Sequence, residues 1–312
     1  MKEMSSEGKN NGIVITGPTG AIGMALIKQC ITEGRKVLAI CHRGSKRISQ
    51  IPNNYLVRVV EADLCDYANL DITDICTGEY EVFIHLAWNG TVGDSRNNMA
   101  LQADNIQYAL DAVELAERLG CKTFIGAGSQ AEYGRVNEPL RPDTPTFPEN
   151  GYGIAKLAAG QMTRIRCEQL GLKHIWTRIL SVYGPYDGEN SMISITLKKM
   201  LANEETHFTA GDQIWDYIYS EDASNMMLDL ADKGENGQVY LIGSGDARPL
   251  KEYIKEMYEV TGCTARLGLG DIPYNDKQVM RLEIDKNFVG MPKNSKDIFR
   301  GGISDIVDTM RF

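Results

Sequence analysis

The feature that most constrains the fold is a glycine-rich turn near the amino terminus, which separates an apolar run from a helical pattern. Residues 12–16 are apolar enough for a strand that is buried on both faces, as in a parallel sheet. Glycines follow at Gly17, Gly20 and Gly23, and residues 24–33 then have the apolar spacing of a helix. Glycine lets the backbone turn tightly and approach a pyrophosphate, and the N-terminus of a helix favours negative charge. The turn therefore predicts a strand–turn–helix unit that binds a dinucleotide, and a turn without a ligand is the alternative.

Strands and helices continue to alternate along the first part of the chain. Apolar runs predict further strands at residues 36–40, 56–61, 82–86, 122–125 and 174–180, and helical composition and periodicity predict helices at 99–119 and 152–170. Strands that alternate with helices imply right-handed crossovers and a parallel sheet, with the ligand site at the carboxyl ends of the strands. We therefore predict an α/β fold of the Rossmann type, with a doubly wound parallel sheet. Within the fourth strand we interpret His85 as a core residue with satisfied hydrogen bonds rather than a catalytic one.

Composition argues against several classes of function. The formal net charge is −9, which disfavours a nucleic-acid or anionic-membrane partner because both attract clustered Lys and Arg. No apolar run approaches the ~18 residues of a membrane span. Residues 1–11 are polar rather than a signal peptide, so we expect a cytoplasmic protein with a flexible amino-terminal tail. The 7 cysteines are scattered without a C-x-x-C pair, so neither a disulfide framework nor a metal site is predicted.

A polar and cationic cluster follows the second strand: His42, Arg43, Ser45 and Lys46. At this place an NAD site usually has an acidic residue for the ribose hydroxyls, whereas an arginine accommodates the 2′-phosphate of NADP. The segment 41–47 contains no acid. The cluster therefore favours NADP over NAD, and a solvated loop is the alternative.

Tyr152 and Lys156 lie four residues apart in the helix predicted at 152–170, so both side chains share one face. A cation within ~4–6 Å of a phenol favours the phenolate and lowers its pKa from ~10. Tyr152 can then exchange protons with a substrate oxygen. Ser129 follows the strand at 122–125, where the ligand site is expected, and supplies a third polar group. A surface helix with a solvated lysine is the alternative.

Three motifs in this order carry a resemblance to a known family: Thr16-Gly17-x-x-Gly20-x-x-Gly23, Ser129, and Tyr152-x-x-x-Lys156. Over essentially its whole length the chain resembles the extended short-chain dehydrogenase/reductases, and among them the nucleotide-sugar epimerases, dehydratases and 4-ketoreductases. The run Gly-Ser-Gln-Ala-Glu-Tyr-Gly at 128–134 resembles the CDP-abequose synthase type of 4-keto-6-deoxyhexose reductase. The resemblance implies that Ser129 holds the substrate carbonyl and that Tyr152 is the general acid/base. It also implies that Lys156 tunes Tyr152 and hydrogen-bonds the nicotinamide ribose.

The resemblance and the residue patterns together assign two sets of binding residues. The cofactor set is Gly17, Thr19, Gly20, Ala21, Ile22, Gly23, His42, Arg43, Ser45, Lys46, Asp63, Leu64, Leu86, Ala87, Trp88, Asn105, Tyr152, Lys156 and Tyr183. The substrate set is Ser129, Gln130, Ser181, Trp215 and Arg281. Trp215 stands where the family usually has an arginine that grips the sugar diphosphate. We therefore expect Arg281 to take that part, with Arg178 and Lys198 as further candidates. The Trp215 indole either covers the base or sugar of the substrate or is a buried structural residue.

The same resemblance predicts two functional regions and a homodimer. The dinucleotide-binding domain is expected at 12–180, with a return around 215–245. A smaller mixed α/β substrate lobe is expected at 181–214 and 246–312. The two long helices predicted above often pair into a four-helix dimer interface in this family, so we expect a homodimer.

The residues after Ser129 bear on the reaction. The family's 4,6-dehydratases carry an Asp-Glu pair there, because water elimination needs its own acid and base. Here the pair is Gln130 and Ala131, so dehydration is not expected. We predict NADPH-dependent reduction of a nucleoside-diphosphate 4-keto-6-deoxyhexose at C4, with Tyr152 as the general acid, because the cluster at Arg43 favours NADP. The alternative is an NAD-dependent nucleotide-sugar 4-epimerase. A cofactor-sensing scaffold without activity and a reductase of non-nucleotide carbonyls are more distant alternatives.

Overall fold

Strands and helices alternate through the first two thirds of the chain, as the sequence predicts. The computed structural model describes residues 12–75, 77–276, 278–288 and 295–311, so the tail predicted at 1–11 lies outside the described residues. The strands are β1 Gly12–Thr16, β2 Val37–Cys41, β3 Val57–Glu61, β4 Tyr80–His85, β5 Thr123–Ser129, β6 Lys173–Ile179, β7 Ser181–Tyr183, β8 Thr206–Phe208, β9 Ile214–Trp215, β10 Tyr217–Tyr219, β11 Gln238–Ile242, β12 Arg248–Pro249, β13 Leu267–Leu269 and β14 Arg281–Leu282. The helices are α1 Ala21–Thr32, α2 Met99–Arg118, α3 Gly151–Leu170, α4 Met192–Leu201, α5 Ser220–Lys233, α6 Leu250–Thr261 and α7 Ser295–Arg311. Within these described ranges, no helix has both the length and the apolar character needed to cross a membrane.

Seven of the strands form one parallel sheet, in the order β11-β6-β5-β4-β1-β2-β3. The chain moves outward from β1 to β3 and then returns to β4 on the other side of β1. Ligands bind in sheets of this kind at the carboxyl ends of the strands where the order reverses, which here is the crevice between β1 and β4. The prediction of a Rossmann-type doubly wound α/β fold is confirmed.

Both faces of the sheet are covered, which is why its central strands are apolar throughout. Ile13 and Ile15 of β1 belong to a core cluster that packs against α1 and α5. Val14, between them, belongs to a second cluster on the other face, against α2 and α3. Successive side chains of a strand point to opposite faces, so a short apolar run supplies both cores.

A further hydrophobic core lies outside the main sheet and joins α4, α6 and α7. Its members include Leu197, Ile254 and Ile303. Three small sheets accompany it: β7 with β10, β9 between β12 and β14, and β8 with β13. The assignment of this part of the chain to substrate binding stays a prediction.

One predicted strand is longer in the structure. The apolar run at 122–125 continues as β5 through two glycines to Ser129. A Cβ at Gly126 or Gly128 would meet the indole of Trp176 on β6, so these glycines allow close packing rather than open a loop. Ser129 is consequently the last residue of a buried strand, and its backbone is held by the sheet.

The proline-rich segment 135–150 contains no helix or strand. Proline lacks a backbone N–H and restricts the residue before it, which disfavours a regular element here. Leu140 anchors the segment, because it is buried and forms an isolated bridge with Ile284. The loop is thereby tied to the region of β14.

Candidate active site

The glycine-rich turn lies at the carboxyl end of β1 and leads directly into α1. Gly17 has a φ of 66°, and a Cβ there would come within 2.9 Å of the backbone nitrogen of Ala87. Only glycine takes this position without strain. A Cβ at Gly23 would lie 2.5 Å from the carbonyl oxygen of Gly17, so α1 packs directly on the turn. Gly20 precedes α1 and provides no side-chain cap, which leaves the first N–H groups of the helix to an anion.

A cavity of about 330 Å³ lies beside this turn, at the carboxyl ends of β1, β2 and β4. The predicted cofactor residues that line it are Gly17, Thr19, His42, Asp63, Leu64, Ala87 and Trp88. Gly20, Ala21, Ile22, Gly23 and Leu86 form the turn, the start of α1 and the residue after β4. Tyr67 and Asn89, which no sequence pattern marked, also line the cavity. A turn that accepts a pyrophosphate beside a cavity with apolar and polar walls fits a dinucleotide.

The cationic loop after β2 faces three carboxylates. Nη2 of Arg43 lies 2.9 Å from Oδ2 of Asp66, and Nε lies 3.9 Å from Oδ2 of Asp63. The backbone N–H of Gly44 donates to the carboxylate of Glu61 at the end of β3. The sequence prediction considered only the loop itself, whereas the pairing of β2 with β3 brings these acids beside it. The lip of the cavity therefore carries charges of both signs.

The next residues of this loop make structural contacts. The Ser45 hydroxyl accepts a hydrogen bond from the backbone N–H of Arg47, at 3.4 Å, and Lys46 is exposed. The Arg47 guanidinium, which the sequence analysis did not assign, donates to the carbonyl oxygens of Tyr186 at 3.0 Å and Thr19 at 3.5 Å. Arg47 therefore ties the glycine-rich turn to the segment that follows β7.

The three predicted catalytic residues converge where β5 ends and α3 begins. The side chain of Ser129 is close enough to the phenol of Tyr152 to favour its ionised form. Asn150 caps α3 by accepting the N–H of Gly153 at 2.8 Å, which holds Tyr152 in the first turn of the helix. One turn later, Nζ of Lys156 lies 5.8 Å from the centroid of the Tyr152 ring. A hydroxyl, a phenol and an amine are thus brought together from two elements.

The electrostatics of this cluster differ from the sequence prediction. Burial raises the pKa of Tyr152, and the nearby Ser129 hydroxyl and the charge of Arg96 act in the opposite direction. Nζ of Lys156 donates to the carbonyl oxygen of Ala127 at 2.7 Å, and burial lowers the pKa of Lys156 to about 7. The predicted net direction is wrong: the pKa of Tyr152 is raised rather than lowered, because burial of the phenol dominates. The charge of Arg96 opposes this rise.

Trp88 connects the dinucleotide cavity with the catalytic cluster. Nζ of Lys156 lies 3.7 Å from the centroid of the Trp88 ring, which is a cation–π contact. The rings of Trp88 and Tyr152 meet edge to face, with centroids 6.2 Å apart. The indole N–H donates to Oε1 of Gln102 at 2.9 Å, which fixes the orientation of the ring. This predicted cofactor residue therefore also contacts two of the predicted catalytic side chains.

A buried carboxylate that the sequence prediction missed supports the cluster. Glu132 is 0% exposed. It accepts hydrogen bonds from the N–H of Ser129 at 2.8 Å, the indole of Trp176 at 3.0 Å and Nε of Arg178 at 2.7 Å. The available signal was the spacing Ser129-x-x-Glu132, which is a capping box.

The two further candidates for the diphosphate have other partners. Arg178 is buried, and besides Glu132 it donates to the carbonyl oxygen of Pro142 at 3.2 Å. Lys198 is exposed on α4, in an ion pair with a distance of 3.5 Å. The structure therefore corrects the suggestion of Arg178, because its guanidinium is enclosed in the core.

Two predicted cofactor residues are buried and make hydrogen bonds within the protein instead of facing a cofactor. The buried side chain of Asn105 makes two hydrogen bonds with the backbone of Asn89. It accepts one from the N–H at 3.0 Å and donates one to the carbonyl oxygen at 2.9 Å. Tyr183 is 1% exposed and donates to the carbonyl oxygen of Ile298 at 3.2 Å. The pairing of β7 with β10 places Tyr183 opposite Tyr219 in the core outside the main sheet. Both assignments are corrected, because a local pattern does not indicate which way a side chain faces.

Two of the predicted substrate residues are in contact, and a third lies on a neighbouring strand. Nε1 of Trp215 donates to the hydroxyl of Ser181 at 2.9 Å. Arg281 lies on β14, which pairs with the strand that carries Trp215, and its guanidinium binds the carboxylate of Glu283. Gln130 lies in the short turn after β5 and is half-buried.

His85 is buried at the end of β4. Its Nδ1 lies 2.9 Å from Oγ1 of Thr16, whereas Nε2 has no hydrogen-bond partner among the described residues. Burial lowers the pKa of His85 to about 3, and the charge of Lys156 acts in the same direction, so the imidazole is neutral. The interpretation of His85 as a core residue is confirmed by its burial, but within the described part of the chain the expectation that its polar atoms are satisfied is wrong for Nε2.

A doubly wound sheet with a glycine-rich turn at its switch point defines a dinucleotide-binding protein, and the proton-transferring groups beside it define an enzyme. The sequence model of the NAD dependent epimerase/dehydratase family matches residues 13–243. The chain belongs to this family. The predictions of an extended short-chain dehydrogenase/reductase and of an NAD(P)-dependent oxidoreductase or epimerase are confirmed.

Relatives within the family have several activities. The chain is 25% identical to UDP-glucose 4-epimerase of Corynebacterium glutamicum, over 80% of this chain and 80% of the relative. It is 24% identical to dTDP-4-dehydro-6-deoxyglucose reductase of Escherichia coli, over 98% and 99% of the two chains. It is 24% identical to CDP-abequose synthase of Salmonella muenchen, over 90% of this chain and 91% of the relative. The structure of UDP-N-acetylglucosamine 4-epimerase from Methanobrevibacter ruminantium M1, in complex with UDP-N-acetylmuramic acid, has the same fold, with a TM-score of 0.85 and 22% identity over 97% and 99% of the chains.

Proposed function

We propose that this protein reduces a nucleoside-diphosphate 4-keto-6-deoxyhexose at C4 with NADPH. The observation that carries the proposal is the convergence of Ser129, Tyr152 and Lys156 at the end of β5. Trp88 lines the dinucleotide cavity and contacts both Tyr152 and Lys156, so the cluster lies beside the cofactor site. Similarity over nearly the full length to a dTDP-4-dehydro-6-deoxyglucose reductase supports reduction of a nucleotide sugar.

Residues of the first half of the sheet hold the cofactor in this proposal. The turn at 17–23 binds the diphosphate, because the start of α1 favours negative charge there. Asp63 and Leu64 line the cavity for the adenosine part. The loop that carries Arg43 and Lys46 binds the 2′-phosphate. When bound, the cofactor supplies a hydride to the carbonyl carbon of the substrate.

The catalytic side chains handle the proton and the carbonyl oxygen. Ser129 and Tyr152 both bind this oxygen, and Tyr152 transfers its phenolic proton to it. The carbonyl thereby becomes an alcohol, and a proton from solvent restores the phenol. Glu132 fixes the backbone of Ser129, so the hydroxyl keeps its direction. Holding donor and acceptor together supplies much of the rate.

The buried carboxylate supports reduction or epimerisation rather than dehydration. Water elimination needs an acid and a base in addition to the phenol. Glu132 is the carboxylate nearest in sequence to Ser129, but it is 0% exposed and accepts hydrogen bonds from three donors. It is therefore a poor candidate for an acid or base that acts on substrate.

We also propose that the chain divides its binding functions between two regions. Residues 12–180, with a return around 215–245, bind the cofactor, and residues 181–214 and 246–312 bind the nucleotide sugar. The contact between Trp215 and Ser181 supports a substrate surface there. Arg281 is 38% exposed, so its guanidinium is accessible to a diphosphate.

The test is oxidation of NADPH and NADH with CDP-, dTDP-, GDP- and UDP-linked 4-keto-6-deoxy sugars, for the wild type and Tyr152→Phe. We expect one of these sugars to be reduced and Tyr152→Phe to lose turnover while it still binds NADPH. Tyr55→Phe is the control, because Tyr55 is 94% exposed, and it should keep full activity. Full activity of Tyr152→Phe, or no reduction of any sugar by the wild type, would refute the proposal.

A second candidate function is NAD-dependent 4-epimerisation of a nucleotide sugar. The observation that favours it is the set of carboxylates around Arg43, which offset the cation expected to bind a 2′-phosphate. An epimerase regenerates its oxidised cofactor in every cycle, so it needs no added reductant. Mass spectrometry of ligands released from the purified protein, together with a turnover assay without reductant, distinguishes this candidate from the first.

We propose a homodimer in which two copies of the chain meet through α2 and α3. Exposed apolar side chains on these helices include Met99, Ile154, Met162 and Ile165. Ile154 and Ile165 are separated by three helical turns and so lie on one face of α3. A second copy that offers the same face covers these side chains, as in an isologous dimer.

A further inference from the structure

Tyr152 is contacted by a cation that lies outside α3 and outside the predicted site. Arg96 lies on the short 3₁₀ turn Gly93–Asn97, between β4 and α2, and is half-buried. Its guanidinium carbon lies 4.3 Å from the centroid of the Tyr152 ring, whereas Nζ of Lys156 lies 5.8 Å from it. A guanidinium within this distance of the face of a phenol ring makes a cation–π contact. Arg96 is the nearer of the two cations.

The turn that carries Arg96 is held against the start of α3. The side-chain oxygen of Asn97 accepts the backbone N–H of Gly151 at 3.0 Å. The carbonyl oxygen of Arg96 lies 3.0 Å from the position that a Cβ on Gly151 would take, so the two segments pack closely. Nη1 of Arg96 donates to the carbonyl oxygen of Thr91 at 3.1 Å, which directs the side chain. The approach of Arg96 to the phenol is therefore built by several contacts.

Titratable and charged groups face Tyr152 from each element packed against it. Arg96 comes from the turn before α2, Glu132 from the turn after β5 and Lys156 from α3. The nearby Ser129 hydroxyl also favours the ionised form of the phenol. Lys156 loses its charge near neutral pH, because burial lowers its pKa to about 7. The Arg96 guanidinium supplies a positive charge beside the phenol that does not depend on Lys156.

We propose that Arg96 is a positioning residue of this site, whose guanidinium stabilises the phenolate that Tyr152 becomes on giving up its proton and so sets the pH range of turnover. The proposal rests on the assignment of Tyr152 as the proton donor in the proposed function. Without Arg96 the phenol keeps its proton to higher pH, because an adjacent cation favours the anionic form. In reduction Tyr152 must be protonated, so the fall in rate at high pH should move to higher pH when Arg96 is replaced.

The test places 3,5-difluorotyrosine at position 152 and follows its ¹⁹F resonance against pH. Ring fluorines bring ionisation of the phenol to lower pH, and the resonance reports this side chain alone. Arg96→Met, Arg96→Gln and Arg96→Lys are compared with the unsubstituted chain. Arg96→Gln keeps a donor for the Thr91 carbonyl and so separates the charge from the hydrogen bond. We expect the titration midpoint of this phenol to rise by about one pH unit in Arg96→Met and Arg96→Gln, and to stay close to the original value in Arg96→Lys.

Arg58→Met is the matched control, because it removes the same charge from exposed β3. The sheet order places β3 four strand spacings from β5, a distance of ~19 Å. The titration midpoint of the phenol at position 152 should therefore not change in Arg58→Met. An unchanged midpoint in either Arg96→Met or Arg96→Gln, or an equal rise in Arg58→Met, overturns the proposal. Arg96 lies on a surface turn outside the described core clusters, and circular dichroism checks that each variant is folded.

The titration uses no substrate, so it separates this proposal from the proposed function. A shifted midpoint in a protein that reduces no sugar would support the role of Arg96 beside the phenol and refute the reduction alone. Where turnover is found, the pH–rate profile of Arg96→Gln should move in the same direction as its titration. A profile that matches the wild type would contradict the proposal.

Discussion

Glu132 and Arg178 form a buried ion pair at the ends of β5 and β6. Nε of Arg178 lies 2.7 Å from Oε2 of Glu132, and the two side chains are 6% and 0% exposed. The same carboxylate accepts the N–H of Ser129 at 2.8 Å. The ion pair therefore links the end of the sheet to the position of the Ser129 backbone.

Replacing only one partner should destabilise the protein strongly. In Glu132→Gln the guanidinium of Arg178 stays buried without its counter-ion, and loss of one partner of such a pair costs ~3–5 kcal/mol. Chemical denaturation measures the change in the free energy of unfolding. Glu149→Gln is the control, because its pair with Arg135 has the same 2.7 Å distance but is about two-fifths exposed. It should cost at most ~1 kcal/mol. Equal losses in the two variants would contradict the prediction.

The glycines of the turn should differ in their tolerance of a methyl group. In Gly23→Ala the new Cβ would lie 2.5 Å from the carbonyl oxygen of Gly17, so the backbone must move, at a cost of ~1–3 kcal/mol. In Gly20→Ala the nearest atom is 3.8 Å away, which is an ordinary contact. Unfolding curves of both variants test this. The prediction fails if Gly20→Ala is destabilised as much as Gly23→Ala.

Arg43 should decide the preference between NADPH and NADH. Arg43→Ala removes a charge-assisted contact to the 2′-phosphate, worth ~1.5–3 kcal/mol, which corresponds to at least ~10-fold weaker NADPH binding. NADH has no 2′-phosphate, so its binding should be unchanged. Asp66→Asn removes the carboxylate 2.9 Å from Arg43 and should strengthen NADPH binding. Fluorescence titration with both cofactors gives the dissociation constants. A similar loss for both in Arg43→Ala would argue against a 2′-phosphate site.

Lys156 should make stability depend on pH above neutrality. Burial lowers its pKa to about 7 in the folded protein, whereas an unfolded lysine titrates near ~10.4. Between these values the unfolded chain binds more protons, so this group makes the free energy of unfolding rise with pH, from about 7 upward. Below this range both states are charged, and the folded state carries the cost of a buried ammonium.

The variant Lys156→Met removes this dependence. The difference in the free energy of unfolding, Lys156→Met minus wild type, should therefore be larger at pH 6 than at pH 9. Denaturation at the two pH values measures the difference, and Lys199→Met, at an exposed position on α4, is the control that should show none. If the free energies of unfolding of Lys156→Met and wild type differ by the same amount at both pH values, the lowered pKa of Lys156 is contradicted.

Ile165→Glu should dissociate the proposed dimer. Ile165 is 48% exposed on α3, and a charge there would be buried against the second copy. Light scattering after size-exclusion chromatography gives the mass of each species. Ile272→Glu, at a position that is 46% exposed outside α2 and α3, should keep the mass of the wild type. A monomeric wild type would end the dimer proposal.

Much of the fold could be predicted because its signals are local. The apolar residues of β1 and the glycines that follow are neighbours in sequence, and the strand predicted at 12–16 has the bounds found in the structure. The spacing of Tyr152 and Lys156 likewise depends only on the helical repeat. The end of β5 was predicted too early, because Gly126 and Gly128 were interpreted without their neighbour Trp176.

The parts of the site that were missed depend on contacts between distant segments. Arg96 reaches Tyr152 because Asn97 binds the start of α3, and no periodicity marks that contact. Asp66 neutralises Arg43 because β2 and β3 are adjacent in the sheet. In each case the chemistry comes from a side chain that the local pattern left unassigned.

By itself the sequence determined the alternation of strands and helices, the dinucleotide turn, and the identity of the hydroxyl, phenol and amine, because each depends on residues close together in the chain. Only the tertiary structure decided their electrostatics. It directed Lys156 to a carbonyl, set Arg96 against the phenol, and enclosed Glu132 and Arg178 in the core. Burial and the charge of neighbouring groups set a pKa, and both arise only when separate elements pack together.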